Sequence, residues 1–416
     1  PRHSPVRPSL PPGTVDPAPA VAPGNRRVQP RSQNKHRIAA GAQGLGAGGE
    51  GYFALNVTDP NGLDSEAEAA DNVLWEFTQA DDVGTTADDN DRNLGISLRQ
   101  PLFAMSNIAG TKGNRWVAIF GNGYNSASTD GDAELYILFL DGGIDGTWTR
   151  GTDFIKINTG KGKVESSDST TPNGLGSVRG IDTDSNGTVD AVYAGDLQGN
   201  VYRFDLSGST TGSWSLPSGN PLFTATYEGG TTVQPITNRP IVTRNTDAGG
   251  FMVIVGTGSY FTVDDASSTD IQSIYGLWDE SGSTPSDAVV PVDYARLLEQ
   301  TLANATSVNG FSVRTLTDNT IASNAWGTTG QKKQGWVIDL DGESGGSVEF
   351  PGERAVRNFL LRGSYVFVNS VIPKSSAACT VGAGGFEYAF NPLYGGSGAD
   401  PAFDLNNDGD FDDDDN

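Results

Sequence analysis

A nine-residue segment that begins at Asp182 concentrates oxygen-bearing side chains at regular intervals. It reads Asp-Thr-Asp-Ser-Asn-Gly-Thr-Val-Asp. Asp182, Asp184, Asn186 and Asp190 stand at loop positions 1, 3, 5 and 9, and the carbonyl of Thr188 falls at position 7. Hard cations such as Ca²⁺ prefer carboxylate and carbonyl oxygens, and a glycine at position 6 permits the sharp turn that directs them to one point. The segment therefore predicts a calcium site formed by these five residues.

The residues after this loop predict a strand rather than a helix. A helix-loop-helix calcium site has a bidentate glutamate at position 12, but that position is Tyr193 here. Segment 189–194 reads Val-Asp-Ala-Val-Tyr-Ala, which is β-branched and alternating. We therefore expect the loop to lead into a β-strand, with Asp190 closing the coordination shell directly or through water.

The C-terminal end repeats this spacing, with Gly409 at position 6 of a second oxygen-rich loop. Positions 1, 3, 5, 7, 9 and 12 are Asp404, Asn406, Asp408, Asp410, Asp412 and Asp415. Two interpretations stay open, because the pattern fits a second calcium loop and also an acidic tail that is only solvated.

The composition excludes several classes of function. The net charge is −24, from 51 Asp and Glu against 27 Lys and Arg, and seven of the basic residues lie in segment 1–37. So acidic a body repels nucleic acid and anionic lipid, and we expect no nucleic-acid partner. His3 and His36 are the only histidines, which removes His-dependent triads and zinc sites from the body. We therefore expect a protein without enzyme activity.

We expect neither a membrane helix nor a signal peptide in this sequence. No apolar run approaches the ~20 residues that a membrane helix needs, so we expect no transmembrane segment. The sequence opens at Pro1 without a Met or the apolar core of a signal peptide, which suggests a processed fragment rather than a whole gene product. Cys379 is the single cysteine, so no disulfide can form within the chain.

Short apolar strands bounded by Gly, Asn, Asp and Ser recur along the body. Four hairpins are predicted, which pair 116–125 with 133–143, 190–199 with 199–208, 251–261 with 273–282, and 364–373 with 386–396. This recurrence predicts an all-β fold, a modified β-propeller with long loop insertions. A β-sandwich is the alternative. One short helix is expected within 289–305.

These patterns divide the chain into three parts. Segment 1–37 is rich in Pro and Arg and is predicted to be disordered or a linker. Segment 38–400 is predicted to be the β-propeller domain, with the calcium loop at 182–190. Segment 401–416 is the acidic C-terminal part with the candidate second calcium loop.

The body contains the strings GLGAGGEGYFALNVTDP, AIFGNGYNS, AVYAGDLQGNVYRFDL directly after the calcium loop, IVGTGSYF, IYGLWDE, and GWVIDL ahead of PGERAV. Together with the loop, they resemble the C-terminal domain of the PilY/PilC family of type IV pilus biogenesis proteins and tip adhesins. The resemblance runs from about residue 40 to residue 396.

This resemblance implies a modified β-propeller that holds calcium in a loop of one blade, with ligands at Asp182, Asp184, Asn186, the Thr188 carbonyl and Asp190. It implies that calcium occupancy is tied to pilus extension versus retraction, and hence to twitching motility and surface adhesion. It also implies a place at the pilus tip or outer surface of a Gram-negative cell, after export through the periplasm. The implied partners are pilins, the minor pilins at the tip, and a host or abiotic surface.

Two other functions stay open. Quinone-dependent dehydrogenases are also calcium-binding propellers with Gly-Asp-Leu-x-Gly turns, and the turn from Asp196 to Gly199 fits. Against this, a single cysteine cannot form the adjacent cysteine pair that such enzymes often have. A lectin-like extracellular adhesive propeller shares the calcium loop and differs only in its partner.

Overall fold

The computed structural model consists almost entirely of small antiparallel sheets. It describes residues 40–58, 65–82, 92–111, 113–128, 130–166, 169–344, 347–373, 383–398, 401–406 and 408–410. Within these ranges there is one α-helix, α1 (Glu66–Asp71), and no helix has the length and apolar character to cross a membrane. Single 3₁₀ turns occur at Gly46–Gly48, Thr211–Ser213, Tyr227–Gly229, Tyr294–Arg296 and Ser323–Ala325.

Five sheets follow one another along the chain, and we name them blades 1 to 5. Blade 1 contains β1 (Ala40–Gly44), β2 (Gly51–Asn56) and β3 (Val73–Thr78). Blade 2 contains β4 (Leu102–Gly110), β5 (Gly113–Gly121), β6 (Glu134–Phe139) and β7 (Phe154–Asn158). A separate hairpin, β8 (Val164–Ser166) and β9 (Ser169–Thr171), follows it. Blade 3 contains β10 (Leu175–Ile181), β11 (Ala191–Asp196), β12 (Asn200–Asp205) and β13 (Phe223–Thr224).

Blade 4 carries the longest insertion. Its strands are β14 (Ile241–Arg244), β15 (Phe251–Gly256), β16 (Ser273–Asp279), β17 (Leu297–Gln300) and β20 (Gly335–Asp339). The hairpin β18 (Thr306–Val308) and β19 (Phe311–Val313) lies in the insertion. A second hairpin, β21 (Glu343–Ser344) and β22 (Ser347–Val348), follows. Blade 5 contains β23 (Leu360–Arg362), β24 (Tyr365–Asn369) and β27 (Glu387–Phe390), and between its last two strands lie β25 (Ile372–Pro373) and β26 (Ala383–Gly384).

Each central strand contributes to two cores because successive side chains of a strand point to opposite faces of its sheet. On β11, Val192 and Ala194 pack into the core shared with blade 2, whereas Ala191 and Tyr193 pack into the core shared with blade 4. Strands β5 and β15 alternate in the same way, so every blade is packed face to face against the next. All four predicted hairpins are present.

This radial series of sheets is a modified β-propeller, as predicted, and not the β-sandwich alternative, which would have two sheets only. Within the part of the chain that the structure describes, blade 1 does not pair with blade 5, so the circle of sheets is not closed. The strands of the blades run from Ala40 to Phe390. Segment 1–37 and Cys379 lie outside the described residues, and the three-part division stays a prediction.

The helix predicted within 289–305 is wrong. The segment forms one 3₁₀ turn, in which the N–H of Ala295 donates to Asp293 Oδ1, and then continues into β17. Strand β17 pairs in parallel with β20 at the edge of blade 4. Tertiary pairing at an open sheet edge therefore outweighs a weak local preference for helix.

The last residue of β20 carries a carboxyl group that should make stability depend on pH. Burial raises the pKa of Asp339 to about 6, and the charges of Asp341, Glu299 and Glu228 add to this. Because the folded pKa lies above the unfolded value, stability falls as pH rises from about 4 to about 6. Asp339→Asn should flatten that slope and raise the free energy of unfolding at pH 7.5 by about 1–2 kcal/mol. Urea unfolding at stepped pH measures both, and a slope equal to that of the parent would contradict the assignment.

Candidate metal centre

The loop 182–190 joins the first two strands of blade 3. Ile181, the last residue of β10, pairs with Ala191, the first residue of β11. The strand after Asp190 is therefore present, as the alternating sequence predicts. The loop reverses the chain through two residues with positive φ, Ser185 at 64° and Gly187 at 89°. Glycine adopts this conformation without the steric cost that a Cβ would add.

Three carboxylates of the loop converge. One oxygen atom from each of Asp182, Asp184 and Asp190 lies within 4.8 Å of the others. Two oxygens that bind one Ca²⁺ at 2.3–2.6 Å can be no more than about 5 Å apart, so this spacing fits a single ion. Across the described residues, these are the only three acidic, cysteine or histidine side chains grouped in this way. The donor set, all oxygen and strongly anionic, suits a hard cation.

Asp182 organises the turn. Its Oδ1 accepts the N–H of Ser185 at 2.6 Å and that of Asn186 at 3.2 Å, and its Oδ2 accepts the N–H of Gly187 at 2.7 Å. Burial raises the pKa of this carboxyl, but the three N–H donors outweigh it, and the net pKa lies below the usual value. Asp182 is therefore anionic at neutral pH, as a cation ligand must be.

The middle of the loop is a chain of short-range hydrogen bonds. Asn186 Nδ2 donates to Asp184 Oδ2 at 3.0 Å, and Asn186 Oδ1 accepts the N–H of Thr188 at 2.8 Å and also the Thr188 hydroxyl. The same hydroxyl lies 2.7 Å from Asn107 Oδ1. The structure thus places Asn186 beside Asp184 and buries Thr188, whose side chain faces a residue of blade 2.

Asp190 is buried and anchors the end of the loop. It is 3% exposed, and its Oδ1 accepts Asn107 Nδ2 at 2.9 Å. Its Oδ2 accepts the N–H of Thr183 at 2.7 Å and the Thr183 hydroxyl at 2.8 Å. Asn107 Nδ2 also lies 3.1 Å from the Val189 carbonyl and 3.2 Å from that of Leu206. One amide from β4 therefore contacts both the end of the loop and the residue that follows β12.

Asn107 is the residue that sequence reasoning missed. It lies in blade 2, on a strand whose register with β5 shifts between Met105 and Ala109. The backbones of β4 and the loop are also hydrogen-bonded, because the N–H of Val189 donates to the carbonyl of Met105 at 2.8 Å. Nothing in the local sequence around Asn107 predicts a contact with a loop more than 70 residues later in the chain.

Blade 4 contacts the loop from the other side. Nη2 of Arg244, the last residue of β14, donates to the Thr183 carbonyl at 3.3 Å. The loop therefore contacts the blades on both sides of its own. A change in its conformation would alter its contacts with blade 2 and with blade 4.

In its described part, the second loop repeats three hydrogen bonds of the first loop in which a backbone N–H donates to a side chain. The N–H of Gly409, whose φ is 91°, donates to Asp404 Oδ2 at 3.1 Å, just as Gly187 donates to Asp182. Asn406 Nδ2 donates to Asp408 Oδ2 at 2.9 Å, and Asp408 Oδ1 accepts the N–H of Asp410 at 2.9 Å. Asp412 and Asp415 lie outside the described residues.

The turn that suggested a quinone cofactor has a structural role. Both oxygens of Asp196, which is fully buried, are occupied. Oδ1 accepts the N–H groups of Gln198 and Asn200, and Oδ2 accepts the side chains of Asn173, Asn200 and Tyr202, all at 2.8–2.9 Å. The carboxylate caps the turn between β11 and β12 and offers no free acceptor to a cofactor.

The tryptophans give no support to a sugar-stacking surface. Six of the seven are at most 9% exposed and pack between blades, and Trp116 is 52% exposed. A stacking platform needs several exposed rings on one face.

The fold and site together define a modified β-propeller with an oxygen-rich loop of calcium-site spacing on one blade. A family model described as the PilY1 beta-propeller domain matches residues 14–313. The chain belongs to this family.

Relatives and a solved structure agree with this assignment. The chain is 32% identical over 365 residues to a type IV pilus biogenesis factor PilY1 homolog of Xylella fastidiosa strain Temecula1. The alignment covers 88% of this chain and 24% of the relative. The chain is 31% identical over 404 residues to the type IV pilus biogenesis factor PilY1 of Pseudomonas aeruginosa strain UCBPP-PA14, over 89% of this chain and 31% of the relative. The chain thus spans about a quarter to a third of the length of these relatives. The crystal structure of the P. aeruginosa PilY1 C-terminal domain superposes with a TM-score of 0.69 at 27% identity, over 91% of this chain and 72% of that one.

Proposed function

We propose that this domain is the calcium-binding module of a type IV pilus biogenesis protein and that calcium in its loop regulates pilus extension versus retraction. The observation that carries the proposal is the convergence of the Asp182, Asp184 and Asp190 carboxylates within 4.8 Å. The family assignment adds the pilus context, because the relatives are named pilus biogenesis factors. The names of the relatives and the engaged Asp196 favour a role without catalysis.

Calcium stabilises the loop by neutralising three crowded carboxylates. Without the ion these groups repel one another, and the loop loosens. With a dissociation constant near 10⁻⁴ M and 1 mM free calcium, binding adds about 1.4 kcal/mol to the free energy of unfolding. This is enough to order a surface loop, although it is far too little to fold a propeller.

The contacts of the loop connect calcium binding to the two neighbouring blades. Ca²⁺ on Asp190 competes with Asn107 for the same carboxylate, and so calcium changes the link to blade 2. The Arg244 contact extends the effect to blade 4. We propose that the minor pilins at the pilus tip bind the surface that the loop and its neighbouring blades form. We also propose that the tip adheres to a host or abiotic surface. The location that follows is the pilus tip or outer surface, reached through the periplasm.

We further propose that the C-terminal loop binds a second calcium ion through Asp404, Asn406, Asp408, Asp410, Asp412 and Asp415. Its support is the hydrogen-bond pattern shared with the first loop. The acidic-tail interpretation predicts instead that removing this segment leaves calcium binding unchanged.

Calorimetric titration with calcium tests both loops. We expect two sites in the parent domain and one each in Asp182→Ala and in a variant that lacks residues 404–416. Asp182→Ala removes a ligand that is largely solvated and hydrogen-bonded only inside the loop, so the fold should persist, and circular dichroism checks this. Unchanged stoichiometry in Asp182→Ala would refute the first site.

The regulatory claim needs a cellular test. The full-length protein with Asp182→Ala, expressed in place of the parent, should alter surface piliation and reduce twitching motility. Asp264→Ala, which removes an exposed carboxylate from another loop, is the matched control. Normal twitching by a variant that no longer binds calcium would separate calcium binding from pilus retraction and overturn the regulatory part.

A further inference from the structure

Four consecutive blades carry an arginine at or just before their first strand. These residues, which we call the inner arginines, are Arg99, Arg179, Arg239 and Arg357. In blades 2 and 3 the run up to the arginine follows one pattern, Asn, three residues, Ser, an aliphatic residue and Arg, at 93–99 and 173–179. Such a repeat indicates that the blades share one structural position.

Backbone pairing confirms the equivalence in three blades. The residue three positions before the arginine forms an isolated β-bridge with the segment after the second strand of the same blade. These bridges join Ile96 to Tyr124, Ile236 to Gly258, and Arg354 to Val371. In blade 3 the corresponding segment starts with Leu175 paired to Asp196.

The segments around the inner arginines meet one another although they belong to different blades. Arg99 Nη2 of blade 2 donates to the carbonyl of Thr237 in blade 4 at 3.3 Å, past blade 3. The N–H of Arg239 donates to Asn358 Oδ1 in blade 5 at 3.0 Å. Partial burial, and after it the positive charge of Arg239, lowers the pKa of Arg179, whose side chain still reaches solvent. The first strands therefore converge, as inner strands of a propeller do.

The protein has almost twice as many acidic as basic residues, yet the inner arginines have no carboxylate partner among the described residues. Across the described residues none of the four forms an ion pair, whereas Arg115, Lys156, Arg203, Arg296 and Arg314 all do. The Nε of Arg99 is buried without a hydrogen-bond partner. Three of the four side chains, those of Arg179, Arg239 and Arg357, are exposed.

We propose that the inner arginines form a binding site for a small multivalent oxyanion of the phosphate or sulfate class. Guanidinium groups present paired N–H donors that match oxyanions, and several of them at one place repel one another until an anion is bound. The strongly acidic body repels nucleic acid and other long polyanions, so the occupant is a small ion. This site is separate from the calcium loop and does not depend on the proposed pilus function.

The test is calorimetric titration with sodium sulfate in metal-free, resin-treated buffer at constant ionic strength, with sodium chloride as the reference. We expect saturable sulfate binding in the parent and at least about tenfold weaker affinity in Arg179→Gln/Arg239→Gln, because each lost charged hydrogen bond contributes on the order of a factor of ten. Thermal unfolding should show a rise in Tm with sulfate in the parent only.

A substitution at an arginine outside the group shows whether sulfate binds at one site or responds only to the overall charge of the protein. Arg362→Gln removes an equally exposed arginine from the far end of β23 and should leave sulfate affinity within about twofold of the parent. Equal effects of sulfate and chloride on the parent, or an equal loss in Arg362→Gln and in the double variant, would overturn the proposal. Because Arg179 and Arg239 are exposed, both variants should fold, and circular dichroism verifies it.

Discussion

Asp190→Ala is expected to abolish the calcium-dependent gain in stability and to weaken the calcium-free protein as well. The first loss is about 1.4 kcal/mol at 1 mM free calcium. The second is about 2 kcal/mol, because the buried Asp190 carboxylate accepts Asn107 Nδ2 and both donors of Thr183, which would lose their acceptor. Urea unfolding with and without calcium measures the two losses separately.

Two further variants separate the effect of the charge of Asp190 from the effect of its hydrogen bonds. Asp190→Asn keeps an acceptor of the same shape but removes a charge, so it should recover part of the calcium-free stability without recovering the calcium response. Asp264→Ala, an exposed carboxylate elsewhere, should leave the calcium response intact. A calcium-dependent shift in Asp190→Ala as large as in the parent would eliminate Asp190 as a ligand.

The convergence of Asp182, Asp184 and Asp190 could be predicted from the sequence because all three belong to one short loop. Its oxygens come from alternate positions of one short segment, and the positive φ at Gly187 and Gly409 is what glycine at position 6 provides. Asn107 was not predictable, since its role depends on blade 2 packing beside the loop. Spacing along the chain contains no information about such a neighbour.

In the fold, too, the sequence predicted the local features but not the long-range contacts. Alternation in segment 189–194 predicted the strand β11, and the hairpins follow from the short glycine-rich turns between strands. The parallel pairing of β17 with β20 was missed, and the segment that contains β17 was predicted to be a helix. Leu297 to Gln300 has no strong local preference, so its structure is decided by an edge that only the folded blade presents.

Asp279→Ala is expected to be the most damaging substitution in the core, at about 3–5 kcal/mol. Arg203 on β12 and Asp279 on β16 join blades 3 and 4, with Nη1 at 2.8 Å from Oδ1 and 2.9 Å from Oδ2. Their side chains are 0% and 1% exposed, and the Tyr193 hydroxyl donates to the same carboxylate at 2.8 Å. Removing the carboxylate leaves a charged guanidinium in a dry interface, which costs more than the pair contributes.

Two further variants make this a test of burial rather than of charge pairing in general. Asp141→Ala breaks the ion pair with Arg115 at 2.7 Å, but Asp141 is 62% exposed, so the loss should be at most about 1 kcal/mol. Arg203→Met/Asp279→Leu removes both buried charges and should recover most of the stability lost in Asp279→Ala. Urea unfolding compares all three variants with the parent. Equal losses for Asp279→Ala and Asp141→Ala would show that water reaches the Arg203 guanidinium and that this blade interface is not dry.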